Sequence, residues 1–243
     1  MQTDVVIVAS HGDSLITFRG DLLQQMRARG LGVLAVAPAL TGDARTWLAR
    51  EGIEFREAPL ARTGRSVVAD LRFWVWLRAT LRDARPKIVL AYTVKPVVYG
   101  MLAALGTGAR RYALITGLGY AFTDGAGDRR LIRLLVEQLY RVALRAAHTV
   151  FFQNPDDERF FRERGLIPDA VPSLVLPGSG IDVQLFVASD PPAGPVVFLM
   201  IARLLGDKGV REYVAAVRSL RESHPQVRAR LVGWIDENPD AIK

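Results

Sequence analysis

The chain has 243 residues, room for one large or two small domains, and 50% of them are hydrophobic, which excludes a disordered chain. It has no cysteine, so disulfides and thiolate metal sites are excluded, and its three histidines (His11, His148 and His224) lack ligand spacing, so no metal is expected. The net charge of +7 favours anionic partners such as phosphorylated small molecules or an anionic membrane; no nucleic-acid-binding module is visible, so nucleic acid is not expected as a partner.

The opening MQTDVVIVASHGDS lacks a basic leader region, and residues 4–9 are predicted to be a core strand rather than part of a signal peptide. No apolar run reaches the roughly 18–20 residues of a spanning helix. Helical periodicity over 15–30 ends in glycine, and 32–38 is the next apolar run of strand length. Then follow a short helix over 43–52, a strand over 53–58, a helix over 65–84 and a strand over 87–92. A helix over 96–106 opens with proline, and a strand over 111–116 comes next. A long cationic helix spans 129–147, a strand 149–154, and a helix 155–165 with acids first and bases last; 173–177 closes this block.

Strands that are apolar throughout, alternating with helices, predict an α/β fold with a doubly wound parallel sheet. Ligands of such sheets bind beyond the carboxyl ends of the strands. Residues 178–195, rich in Gly, Pro, Ser and Asp, read as a linker between a first domain, 1–177, and a second, 196–243. The second restarts with strand 196–202, helix 208–223 and strand 228–234, and is expected to be incomplete, because two strands and one helix cannot cover both faces of a sheet.

The candidate site residues lie in the loops after strands. In IARLLGDKGV (201–210), Arg203 offers a planar fork and Lys208 a point charge beside Gly209, where a helix begins. Such a pair can hold a diphosphate and stabilise its developing charge; the spacing alone slightly favours two solvated bases flanking a helix start. The stretch matches neither a Walker loop nor GxGxxG. After the first strand, Gly12 allows close backbone approach to a ligand, His11 offers a polar contact, and Asp13 or Ser14 can cap the next helix; an ordinary tight turn and cap fit as well. Tyr92 and Lys95 follow the strand at 87–92, where Lys95 either meets an anionic acceptor or is a solvated base. Thr116, Gly117, Gly119 and Tyr120 belong to a glycine-rich loop in which Tyr120 and Phe122 can stack on a sugar. In the helix at 65–84 the stripe Val67, Leu71, Trp74, Val75, Arg78 and Leu81 is expected to face the sheet. Phe73, Trp76 and Arg72 are then left as membrane contacts, unless the apolar stripe is simply wide.

SLITFRGDLLQQMRARG, YTVKPVVYG, ALITGLGYAFT, VFFQNPDD, GSGID, IARLLGDKGVREY and LVGWIDENP together resemble the retaining, nucleotide-sugar-dependent glycosyltransferases of family 4, with their two Rossmann-like domains of the GT-B architecture. The style is that of bacterial enzymes building lipid-linked glycans for capsule, O-antigen or protein N-glycosylation. The resemblance implies that Arg203 and Lys208 bind the donor diphosphate and assist its departure, with Gly12 and Gly209 beside the donor. It implies that His11, Ser14, Tyr92, Lys95, Thr116, Gly117, Gly119 and Tyr120 face an isoprenoid-linked sugar acceptor. It also implies a UDP-linked hexose or N-acetylhexosamine donor, no cofactor or metal, and peripheral attachment to the cytoplasmic face of the membrane. Two departures stand out. The family's acidic pair of the second domain is not found up to residue 243, and Thr116 stands before Gly117 where the family commonly has histidine, so no general base is assigned. A UDP-sugar epimerase on the same architecture and an inactive, incomplete chain that only binds a membrane or partner are the alternatives; the scarcity of histidine weighs against the first.

Overall fold

The computed structural model describes residues 2–60, 66–118, 122, 128–190, 193–234 and 241–242. They fall into two units, Met1–Ile181 and Asp182–Lys243, so the Gly- and Pro-rich stretch 178–195 straddles the division.

The first unit is built on one parallel sheet. Its strands are β1 (Val5–Val8), β2 (Val33–Ala37), β3 (Glu54–Glu57), β4 (Ile88–Tyr92), β5 (Arg110–Ile115), β6 (Thr149–Phe152) and β7 (Ser173–Val175). They lie in the order β3-β2-β1-β4-β5-β6-β7. The register pairs Val5 with Val33 on one side of β1 and with Ile88 on the other. β1 and β2 are buried at every position, which is why they read as unbroken apolar runs, whereas the edge strand β3 is polar and partly exposed.

Two cores lie on opposite faces. Helices α1 (Ser14–Thr17), α2 (Gly20–Ala28) and α3 (Gly42–Arg50) bury Leu15, Leu23 and Leu48 against Ile7, Ala35 and Ala37. Helices α4 (Val67–Ala84), α5 (Val94–Ala103), α6 (Asp128–Leu144) and α7 (Pro155–Glu163) bury Phe73, Leu77, Met101, Tyr140 and Phe161 against Val6, Val8, Val89 and Phe152. Each large apolar side chain so buried contributes roughly 1.5–3 kcal/mol. The chain leaves β1 toward β2 and β3, then returns to β4 on the other side of β1. The carboxyl ends of β1 and β4 therefore flank the switch point where helices change faces.

Local chemistry sets the helix starts. Asn154 accepts from the Asp157 amide at 2.7 Å ahead of Pro155, and three acids occupy the first turn of α7. Ser66 and Thr41 cap α4 and α3 in the same way. The helix expected over 15–30 is broken instead into α1 and α2 at Phe18 and Arg19, whose side chain turns inward. Asp13 and Ser14 cap nothing: the Asp13 carboxylate accepts from the Thr41 amide and hydroxyl at 3.2 and 3.0 Å, bracing the start of α3.

α4 is rotated from the expected face. Phe73 is fully buried and meets Tyr99 edge-on at 6.0 Å, and Trp76 packs partly buried against the same core. Val67, Val68, Leu71 and Val75 are exposed, as is Arg72. Phe73 is thus a core residue, not a membrane contact, because Phe73, Leu77, Thr80 and Leu81 form the inward stripe. Among the described residues no helix is long and apolar enough to cross a membrane.

The second unit holds β8 (Val197–Ile201), α8 (Val210–Ser223) and β9 (Arg228–Val232), with β8 and β9 paired in parallel from Val197–Arg228 to Ile201–Val232. The Tyr213 hydroxyl lies 2.9 and 3.0 Å from the Phe198 and Arg230 carbonyls, which share its one proton, and it ties α8 to both strands. Gly233 is required where β9 ends, since a Cβ there meets the Ala202 carbonyl oxygen at 1.8 Å.

Candidate functional site

Two loops cross the switch point of the first unit, and they are bonded to each other. After β1, the Ser14 hydroxyl donates to the His11 carbonyl at 2.5 Å and lies 2.8 Å from the Tyr92 hydroxyl at the end of β4. A serine hydroxyl has one proton, so Tyr92 is the donor of that second bond. Beside it the Thr93 hydroxyl donates to Ser10 at 2.8 Å. Thr93 is a β-branched residue held at φ 68°, ψ 167°, a conformation that costs on the order of 1–3 kcal/mol. It precedes α5, whose first turn carries no side-chain cap.

Several sequence-predicted contacts are already committed within the protein. Tyr92 is buried, its ring lies under the Arg19 guanidinium at 5.0 Å, and burial pushes its pKa up to about 12. It positions the loop after β1 instead of meeting a ligand. Lys95 forms a 2.7 Å ion pair with Asp70 of α4, with both side chains four-fifths buried, and Asp70 also accepts from Tyr99 at 3.1 Å. Lys95 is therefore neither a solvated base nor an uncompensated cation. Gly12 is explained by packing: a Cβ there meets the Ala39 carbonyl oxygen at 2.6 Å and Leu40 at 2.7 Å, so its small size serves the contact with the loop after β2.

His11 remains exposed and Thr116 half-buried at this edge. Gly117 adopts φ 141° with open space around its Cβ position, as glycine alone readily does. Phe122 does not stand free for a sugar; it packs edge-on against Phe160 at 5.4 Å. Gly119 and Tyr120 lie outside the described residues.

The residue that the sequence left unmarked is Arg19. It is only 5% exposed, and its Nη1 donates to the Phe18 carbonyl at 2.9 Å and to the Ser179 hydroxyl at 2.6 Å. Ser179 lies after β7, between Gly178 at φ 76° and Gly180 at φ 74°, and also accepts from the Gln153 side chain at 3.2 Å. These contacts bring the ends of β1, β4, β6 and β7 to one polar edge.

In the second unit, Arg203 follows β8, and residues Gly206–Lys208 form a single tight helical turn. Gly209, at φ 76°, then starts α8 with no side-chain cap. Lys208 sits 3.6 Å from Asp207, with both side chains well solvated, a pairing of at most about 1 kcal/mol. The turn thus places a cation at the amino end of a 14-residue helix, where backbone N–H groups and the helix dipole favour negative charge.

Residues 16–178 match the family described as "Glycosyl transferase 4-like domain", and the chain belongs to it. The chain is 27% identical over 244 residues to N,N'-diacetylbacillosaminyl-diphospho-undecaprenol alpha-1,3-N-acetylgalactosaminyltransferase of Campylobacter jejuni, a match covering 94% of this chain. The chain spans 62% of the length of that relative. Among solved structures it is similar to sucrose-phosphate synthase of Thermosynechococcus elongatus, with TM-score 0.74 and 14% identity over 99% of this chain and 65% of the other. It is also similar to Anabaena HepE in complex with UDP and glucose, with TM-score 0.63 and 17% identity over 95% and 61%. The α/β, GT-B type of fold expected from the sequence is the one found.

Proposed function

We propose that the protein is a glycosyltransferase, or the greater part of one, that moves a sugar from a nucleotide diphosphate sugar to an isoprenoid-linked glycan. The family match over residues 16–178, which takes in the loop after β4 at the switch point, carries the reading. The Campylobacter jejuni relative, named for a diphospho-undecaprenol substrate, supports the lipid-linked acceptor, and the UDP bound to HepE supports a UDP-sugar donor. On this reading Arg203, Lys208 and the amino end of α8 hold the donor diphosphate and stabilise the negative charge that grows on it as the glycosidic bond breaks. They supply what a divalent ion supplies elsewhere, so transfer needs no metal. The anomeric configuration is retained. The acceptor side falls to the edge of the first unit where His11 is exposed and Ser14, Thr116 and Gly117 are half-buried.

A substrate carried on a lipid supports peripheral work at a membrane surface, on this reading its cytoplasmic face. The exposed Val68, Leu71 and Val75, with Arg72 among them, suit a peripheral contact with anionic lipid. The test is transfer of radiolabelled sugar from a panel of UDP-sugars to a short-chain prenyl-diphosphate glycan, with and without EDTA. Transfer that survives EDTA and falls in Arg203→Ala and Lys208→Ala is expected. UDP-sugar isomerised without acceptor means an epimerase, and no turnover by a folded chain rejects the activity for these 243 residues.

A further inference from the structure

Arg19 is a buried cation with no carboxylate bonded to it among the described residues. Its Nε is buried without any hydrogen-bond partner, and Nη1 finds only two neutral oxygens. The face of the Tyr92 ring covers the guanidinium, and burial holds its pKa below the ordinary guanidinium value. A guanidinium so enclosed is costly unless a negative charge compensates it.

The Ser179 oxygen marks a point where two donors meet. Two donors from different elements converge on it: Arg19 Nη1 from the break between α1 and α2, and Gln153 Nε2 from the end of β6. Ser179 itself is exposed, on a loop whose flanking glycines hold positive φ with open space around them. A neutral hydroxyl occupies a point on which two donors converge, on a loop exposed at the surface. A phosphate oxygen in its place keeps both hydrogen bonds and adds the missing charge, and a charge-assisted bond is roughly twice as strong as a neutral one.

We propose that Arg19 and Gln153 form a phosphate subsite at the carboxyl edge of the first unit, closed by Ser179 when empty and taken by a diphosphate oxygen of a substrate. Whether that diphosphate belongs to the nucleotide sugar or to the lipid-linked acceptor rests on the glycosyltransferase reading; the subsite itself does not.

Inorganic pyrophosphate, UDP and a short-chain prenyl diphosphate are titrated separately into wild type, Arg19→Gln, Gln153→Ala and Ser179→Ala, at fixed ionic strength against a sulfate control. Melting temperature is recorded alongside. Arg19→Gln is expected to lose at least about tenfold in pyrophosphate affinity. Gln153→Ala loses several-fold, and Ser179→Ala binds as well as wild type or better, because the neutral competitor is gone. Ligand-free Arg19→Gln melts no lower than wild type, since an uncompensated buried charge has been removed. UDP affinity falling with these variants assigns the subsite to the nucleotide; prenyl diphosphate affinity falling instead assigns it to the acceptor. The proposal is overturned if wild type ignores pyrophosphate, or if Gln153→Ala and Ser179→Ala bind it like wild type while Arg19→Gln melts far lower or fails to fold. Arg19 is then a tie for the loop after β7. UDP binding that depends on Arg203 and Lys208, with every diphosphate indifferent to Arg19 and Gln153, leaves the proposed function standing and removes the subsite alone.

Discussion

The Tyr92 hydroxyl donates to the Ser14 hydroxyl across 2.8 Å, joining the end of β4 to the loop after β1 at the switch point of the sheet. The two residues are 78 apart in the chain, and Ser14 spends its own proton on the His11 carbonyl. Tyr92→Phe removes the donor and leaves Ser14 otherwise engaged, a cost of about 1 kcal/mol. Ser14→Ala leaves a buried tyrosine hydroxyl without its acceptor and costs more, about 1–3 kcal/mol. Urea denaturation of both variants and of the double variant checks the order; equal, negligible costs contradict the bond.

Burial raises the pKa of both Tyr92 and Tyr99 to about 12. The unfolded chain deprotonates these groups near pH 10, about two units earlier, so it loses protons before the folded state does. Their stabilisation is complete below pH 10 and is lost as the pH rises toward 12. Denaturation midpoints measured from pH 9 to 12 should fall, and fall less steeply in Tyr92→Phe.

The rotation of α4 separates two sets of residues that look alike in sequence. Phe73→Ala should destabilise by about 3–5 kcal/mol, as expected of a fully buried aromatic ring. Leu71→Ser and Val75→Ser, 56% and 54% exposed, should change stability by less than about 0.5 kcal/mol and weaken binding to anionic vesicles. Unchanged vesicle binding removes the membrane contact from this face.

The Lys95–Asp70 pair predicts a structural effect where the sequence alone offers a ligand contact or a solvated base. Lys95→Met strands a largely buried carboxylate and lowers the melting temperature, and Asp70→Asn in the same chain restores part of the loss. Pyrophosphate affinity stays as in wild type. A variant that keeps its melting temperature and loses diphosphate binding returns Lys95 to the site.

The fold was largely legible because central parallel strands must be apolar on both faces: DVVIVA and GVLAVAP admit little else, and glycine or proline punctuates most of the helices between them. The face of α4 was not legible, since VVADLRFWVWLRATL has apolar groups almost all the way round and only the packed neighbours, Tyr99 among them, choose between them. Arg203 and Lys208 stood out from a short local pattern. The roles of Tyr92, Lys95 and Arg19 depend on partners 25 to 160 residues away, which no local pattern records. Arg19 carried the weakest signal of the three, a base in a helical window beside Gly20, where the helix in fact breaks.

Arg203 and Lys208 are proposed to grip a nucleoside diphosphate. Calorimetric titration of UDP into wild type, Arg203→Ala and Lys208→Ala tests it most directly. Each lost charged hydrogen bond is worth about 1.5–3 kcal/mol, so wild type is expected to bind and each variant to bind about 10- to 100-fold more weakly. UDP binding that is equal in all three, or absent from a wild-type chain that is demonstrably folded, contradicts it.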